Sequence, residues 1–214
     1  MRFTDRADAG RRLAERLRTE LAPGTVVLGL PRGGVPVAYE VARVLGLALD
    51  VVVVRKLGLP AQPELAMGAV GEGVRVLNEA VLRRARVDAA DLAAVEARER
   101  AEVERRTLAL RAGRPAVSVD GRDVVIVDDG VATGATARAA CEVLRARGAR
   151  SVVLAAPVGP EAAPGALAGA ADRVVLLHAP AEFGAVGQFY LDFGQTADEE
   201  VTALLALADG LDRG

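Results

Sequence analysis

Asp128 and Asp129 stand side by side after the apolar run Val124-Val125-Ile126-Val127 and lead into Gly130-Val131-Ala132-Thr133-Gly134-Ala135-Thr136. An apolar run of this kind reads as a strand buried on both faces, which delivers the two acids to its C-terminal end. The small residues that follow open directly into a helical pattern. The first N–H groups of such a helix have no partner inside it and favour an anion. Gly130 and Gly134 let the backbone approach that anion closely, and Thr133 and Thr136 add hydroxyl donors. The acids repel a phosphate, so their natural partners are sugar hydroxyls or a metal ion beside it. A vicinal diol, a metal and a phosphate within a few residues describe a ribose 5-phosphate.

Other readings of the same residues fail on type or place. A Walker loop needs Gly-Lys-Ser/Thr, and no lysine follows Gly134. Gly29-Leu30-Pro31-Arg32-Gly33-Gly34 does not spell the G-x-G-x-x-G of a dinucleotide fold. A phosphorylated receiver also carries paired acids at a strand end, but it needs a later lysine, and none occurs after residue 56. Lys56 is the only lysine among 27 Lys and Arg residues, which marks it for attention.

The elements that must hold these residues follow from the pattern. Val26–Leu30, Leu49–Arg55, Asp123–Val127, Ser151–Ala155 and Arg173–Leu177 are short apolar runs without alternation, as in a parallel sheet covered on both faces. Helical patterns at Val35–Leu45 and Ala135–Arg147 each stop at a glycine, Gly46 and Gly148. The alternation predicts an α/β, doubly wound, mainly parallel sheet flanked by helices. Residues 5–21 read as an amphipathic leading helix with Ala9, Leu13, Leu17 and Leu21 on one side. Residues 56–73, rich in Gly and Pro, read as a long binding loop. Residues 88–111 read as a largely exposed helix with a thin apolar stripe. His178 is expected to be structural and Cys141 a small buried residue.

Residues 124–136 resemble the PRPP-binding motif of type I phosphoribosyltransferases, where PRPP is 5-phosphoribosyl-1-pyrophosphate. The resemblance implies that Asp128 and Asp129 hold the ribose hydroxyls. It gives Gly130, Val131, Ala132, Thr133, Gly134, Ala135 and Thr136 the 5′-phosphate. Gly130 departs from the family, which usually has an aliphatic residue there. Pro31, Arg32, Gly33 and Gly34 are similar to the family's pyrophosphate loop, which in relatives often contains a non-proline cis peptide. Arg55 and Lys56, ending the second strand, take the place of the family's pyrophosphate cations. Residues 56–73 take the place of its flexible catalytic loop, with Glu64 as the main charged candidate and Glu72 competing. The aromatic cluster at 180–193 looks like the hood of hypoxanthine-guanine relatives, with Phe183 stacking on a base and Asp192 reading its edge. Mg²⁺ is the implied cofactor; no direct protein ligand is assigned, and Asp128 and Asp129 would meet the ion through ribose or water.

The resemblance therefore implies one domain over 1–214, with a core at about 24–177, a hood at about 178–214 and a helical insertion at about 79–113. It implies a pentosyl-transferring glycosyltransferase of nucleotide metabolism that moves phosphoribose from PRPP to a nitrogen acceptor, a purine base being the candidate. A PRPP-sensing module without turnover is the alternative. A net charge of −2 offers no footprint for nucleic acid or an anionic membrane. The longest apolar runs are too short to span a bilayer, and the charged N-terminus lacks a signal core. A single cysteine excludes an internal disulfide, so a cytoplasmic protein is expected. Residues 79–113 offer a surface for a neighbouring subunit or another partner, which leaves a homo-oligomer open.

Overall fold

The structure is a computed structural model that describes residues 1–60, 62–209 and 211. Strands β1 (Val26–Gly29), β2 (Leu49–Val51), β6 (Asp123–Val127), β7 (Ser151–Val158) and β8 (Arg173–His178) form one parallel sheet in the order β2-β1-β6-β7-β8. Every residue of β1 and Val124–Val127 of β6 are buried, which is why these runs are apolar throughout rather than alternating. One face of the sheet is covered by α1 (Arg6–Leu17), α2 (Gly34–Leu45), α4 (Ala89–Arg111) and α7 (Asp198–Ala208). The other is covered by α5 (Ala135–Ala146) and the short α6 (Ala163–Ala166). The helix stop at Gly46 is real: its φ of 64° is left-handed backbone that glycine adopts without penalty.

Residues 54–77 differ from the expected strand and loop. The second parallel strand stops at Val51, so Arg55 and Lys56 do not end it. The partner strand β1 ends at Gly29, and after Val52 N–H donates to the Gly29 carbonyl no neighbouring edge remains. The chain instead pairs with itself: β3 (Val54–Leu59), β4 (Gln62–Gly71) and β5 (Val74–Leu77) form an antiparallel three-stranded sheet. The breakers that suggested a loop are absorbed by irregular pairing. The register shifts on either side of Gly58, where a Cβ would lie 2.4 Å from the Pro63 carbonyl oxygen. Gln62–Leu65 are exposed, whereas Met67, Ala69 and Val70 are buried.

The helical segment is also better buried than its composition suggests. After α3 (Glu79–Ala85), α4 buries Val95, Glu99, Val103, Thr107, Leu110 and Arg111. The stripe has helical spacing, but half its members are polar, so it reads as thin in a purely apolar search. Arg111 anchors it, forming a 2.9 Å ion pair with the fully buried Asp50 of β2 and donating to Glu72 at 2.9 Å. The far C-terminal segment divides differently from expectation. Helix α7 places Val201, Leu205 and Ala208 in the main core instead of joining the hood.

Candidate active site

Parallel pairing of β1 with β6 aligns Gly29 with Val127, so the loops leaving both strands emerge together. Leu30 N–H donates to the Val127 carbonyl at 2.9 Å and ties the two exits. The contact explains the glycine pair. A Cβ on Gly33 would lie 2.0 Å from Asp129 Oδ2, and one on Gly34 would lie 2.5 Å from the Val127 carbonyl oxygen. Only residues without side chains let the 31–34 loop lie against the paired acids. The Pro31–Arg32 peptide bond is cis. Pro31 and Gly33 are half-buried and Gly34 is buried, while Arg32 is exposed and lies 3.8 Å from Asp198.

The loop after the acids is held at one point and open at others. Val131 N–H donates to the Val158 carbonyl at 2.8 Å, and Gly134, with φ 74°, turns the chain into α5. Thr133 Oγ1 accepts weakly from Ala135 N–H at 3.4 Å. The N–H groups of Ala132, Thr133, Gly134 and Thr136 have no protein partner among the described residues. Ala132, Thr133, Ala135 and Thr136 are exposed. This is backbone arranged for an anion.

The two acids are not equivalent. Asp128 accepts from Asp129 N–H at 2.9 Å, and burial, followed by the neighbouring Asp129 charge, holds its carboxyl well above the usual range. Asp129 is also pushed up by burial, but Arg6 opposes the shift by donating from Nε to Oδ2 at 2.8 Å. The buried Tyr190 hydroxyl donates to the Asp129 backbone carbonyl at 2.6 Å. Burial pushes the Tyr190 phenol up, so it stays protonated and able to donate.

Beside Thr136 lies a cleft of about 620 Å³ lined by Arg55, Lys56, Glu64, Arg98 and Glu99. Lys56 Nζ donates to the Glu64 carbonyl at 3.2 Å and to its carboxylate at 3.4 Å. The Glu64 side chain is fully exposed. Arg55 Nε donates to Glu99 at 2.9 Å. Burial works against the Glu99 charge, but Arg55 and Arg98 outweigh it and hold the carboxyl below the usual range. Glu72 lies outside this cleft, bound to Arg111 and Arg147.

Comparison with known proteins matches residues 3–193 to the phosphoribosyl transferase domain model. The chain belongs to the phosphoribosyl transferase domain family. Curated proteins from two strains of Mycobacterium tuberculosis, CDC 1551 and H37Rv, carry provisional phosphoribosyl transferase names. Each is 58% identical over 204 residues, covering 95% of this chain and 46% of the relative. The chain thus spans about half the length of these curated relatives. The crystal structure of TT1426 from Thermus thermophilus is 51% identical, with a TM-score of 0.89 over 96% of this chain and 98% of that one.

In this phosphoribosyl transferase domain the aromatic residues of 180–193 pack largely against one another. Phe183 stacks on Phe189, with centroids 5.6 Å apart and planes 14° apart. Phe189 in turn meets His178 edge-on at 5.5 Å. Asp192 accepts from Gly194 N–H at 3.2 Å and lines a separate cleft with Asp5, Arg6 and Glu200. Phe183 is therefore engaged on one face by a neighbouring ring, and Asp192 is engaged by the Gly194 amide. Gly130 has a local reason to depart from the family pattern, since a Cβ there would lie 2.4 Å from Val186 Cγ1. The hood segment occupies the space an aliphatic side chain would take. Cys141 is buried, and burial pushes its thiol up to about 12.

Sequence reasoning missed Arg6, Tyr190 and Glu99. Arg6 and Glu99 sit among many arginines and glutamates, and no local spacing distinguishes them. Tyr190 carried a signal, being one of two tyrosines in a chain with 3% aromatic residues.

Proposed function

We propose that this phosphoribosyl transferase domain binds PRPP with Mg²⁺ and transfers its phosphoribosyl group to a nitrogen nucleophile. In that reaction the anomeric carbon–oxygen bond to pyrophosphate breaks and a carbon–nitrogen bond forms, while the nucleophile's proton leaves to solvent. The observation that carries the reading is the close packing of Gly33 and Gly34 against Asp128 and Asp129. It puts a candidate pyrophosphate loop beside a candidate ribose site, with the open amides of 132–134 beyond it.

The protein's part would be positioning and charge stabilisation. Asp128 and Asp129 take the ribose hydroxyls, Gly130–Thr136 take the 5′-phosphate, and Pro31–Gly34 take the pyrophosphate. Lys56 and Arg55 face the leaving group, and the hairpin carrying Glu64 shields the reacting centre from water. Carboxylate oxygens suit Mg²⁺, which binds hard oxygens and keeps several waters. Asp128 and Asp129 would hold it through water or ribose, and the bound ion would offset the leaving group's charge. A purine base is the candidate acceptor, with Phe183 and Asp192 as its proposed contacts; the reaction itself requires only a nitrogen nucleophile. Among the described residues, none is assigned as a general base.

The test is titration calorimetry with Mg-PRPP, followed by pyrophosphate release with guanine, xanthine, hypoxanthine, adenine, uracil and orotate. Binding with turnover on any one of them supports the transferase and names its acceptor. Binding without turnover on any base turns the reading toward a PRPP sensor or a non-nucleobase acceptor. No binding overturns it.

A further inference from the structure

Arg6, the first residue of α1, reaches across the molecule to Asp129, which lies 123 residues away in the chain. Its Nε donates to Asp129 Oδ2 at 2.8 Å, and both side chains are only 14% exposed. Arg6 is itself fixed on two further sides. Nη1 donates to the Gly194 carbonyl at 2.7 Å, and the guanidinium carbon lies 4.1 Å from the centre of the Phe193 ring. Asp129 Oδ2 also occupies the space that a Gly33 side chain would need. Among the described residues, no other residue donates a hydrogen bond to Oδ1.

We propose that Arg6 is a positioning residue for the ribose diol, fixing Asp129 so that Oδ1 faces the ligand and offsetting charge beside an incoming polyanion. The proposal rests on reading Asp129 as a ribose ligand. A sparsely solvated carboxylate with no cation would repel phosphate groups brought within a few ångströms. It would also be free to rotate away from the sugar. A planar guanidinium held by a carbonyl and an aromatic face removes both problems at once. The arrangement joins recognition of the diol to the docking of residues 193–194, which come from the other end of the chain.

The test compares ribose 5-phosphate, 2-deoxyribose 5-phosphate and inorganic phosphate by calorimetry on wild type, R6Q, R6K, D129N and the R6Q/D129N double variant. Wild type is expected to prefer ribose 5-phosphate over its deoxy analogue. R6Q should weaken ribose 5-phosphate by about tenfold or more, the size of one charge-assisted hydrogen bond. It should narrow the preference for the diol and weaken inorganic phosphate less than ribose 5-phosphate, because phosphate loses only the charge offset. The double variant should bind no worse than D129N, because the two residues act as one unit. R6K should recover part of the loss, and it carries the comparison if R6Q does not fold. Equal weakening of all three ligands would assign Arg6 to general folding and overturn the proposal. Additive losses in the double variant would also overturn it. A wild type with no affinity for ribose 5-phosphate would instead remove the ribose reading on which the proposal stands, whatever the variants do.

Discussion

Burial sets Asp128 apart from an ordinary surface acid. With its carboxyl held well above the usual range, folding disfavours its charge. The stability linked to this group is complete below the ordinary carboxylate value and is lost as pH rises through the raised one. Asp128→Asn is therefore expected to melt at a higher temperature than wild type at pH 8, with the gap closing toward pH 4. The same change should abolish Mg-PRPP binding, the trade expected where a site is built at the expense of stability. Thermal melts across that pH range check the first part and calorimetry the second; a gap independent of pH would count against the assignment. Gly130 is constrained by shape instead. Gly130→Val should destabilise by about 1–3 kcal/mol through overpacking, because its Cβ would lie 2.4 Å from Val186. Adding Val186→Ala should recover much of that loss in urea denaturation, whereas independent, additive effects would separate the hood from the loop.

At the scale of elements, the antiparallel sheet and α4 are the additions that frame the cleft, and each has its own fastening. Arg111 is 7% exposed and Asp50 2%, so removing the guanidinium leaves a carboxylate with little solvent. Two N–H groups, from Val51 and Val117, still reach Asp50. Arg111→Leu should cost about 3–5 kcal/mol in urea denaturation, the usual penalty for breaking a buried pair from one side. Changing Asp50→Asn alongside it should return part of that loss. The hairpin carries Lys56, which in this structure is engaged by the exposed Glu64. An exposed ion pair is weak and easily exchanged for another partner. Lys56→Ala should weaken PRPP binding more than ribose 5-phosphate binding, since only PRPP carries the pyrophosphate. Calorimetry with both ligands decides, and equal weakening would return Lys56 to the surface.

For the whole molecule, the N-terminal residues and the segment 189–194 meet beside the paired acids. Phe3 N–H donates to the Phe189 carbonyl, and the N–H groups of Leu191 and Asp192 donate to the carbonyls of Phe3 and Thr4. Phe3 is fully buried against Tyr190, with ring centroids 5.4 Å apart. Residues 3–4 thus belong physically with the hood segment. Phe3→Ala should cost about 3–5 kcal/mol. It should also weaken ribose 5-phosphate binding without touching the site, because Arg6 and Tyr190 are held in place by this docking. Urea titration and calorimetry on the same variant test both halves; loss of stability with unchanged affinity would show that the closure is purely structural.

The sequence alone was enough for the parallel core, its order of elements, and the loop from Asp128 to Thr136. Those features rest on local chemistry: an unbroken apolar run means burial on both faces, and adjacent acids followed by glycines at a helix start have few other uses. The spacing of Gly33 and Gly34 could likewise be read as a tight backbone turn, though not what pressed against it. Only the tertiary structure decided the rest. Breakers at Gly58, Pro60 and Pro63 suggest a loop until an antiparallel partner accommodates the irregularity. The buried face of α4 is half polar and becomes legible only once Asp50 and Arg55 are known to meet it. That Phe189 stacks on one face of Phe183 could not be read from the sequence. Arg6 is one arginine among many until the fold carries it to Asp129. Contacts between residues far apart in the chain depend on register and topology, which no local pattern encodes.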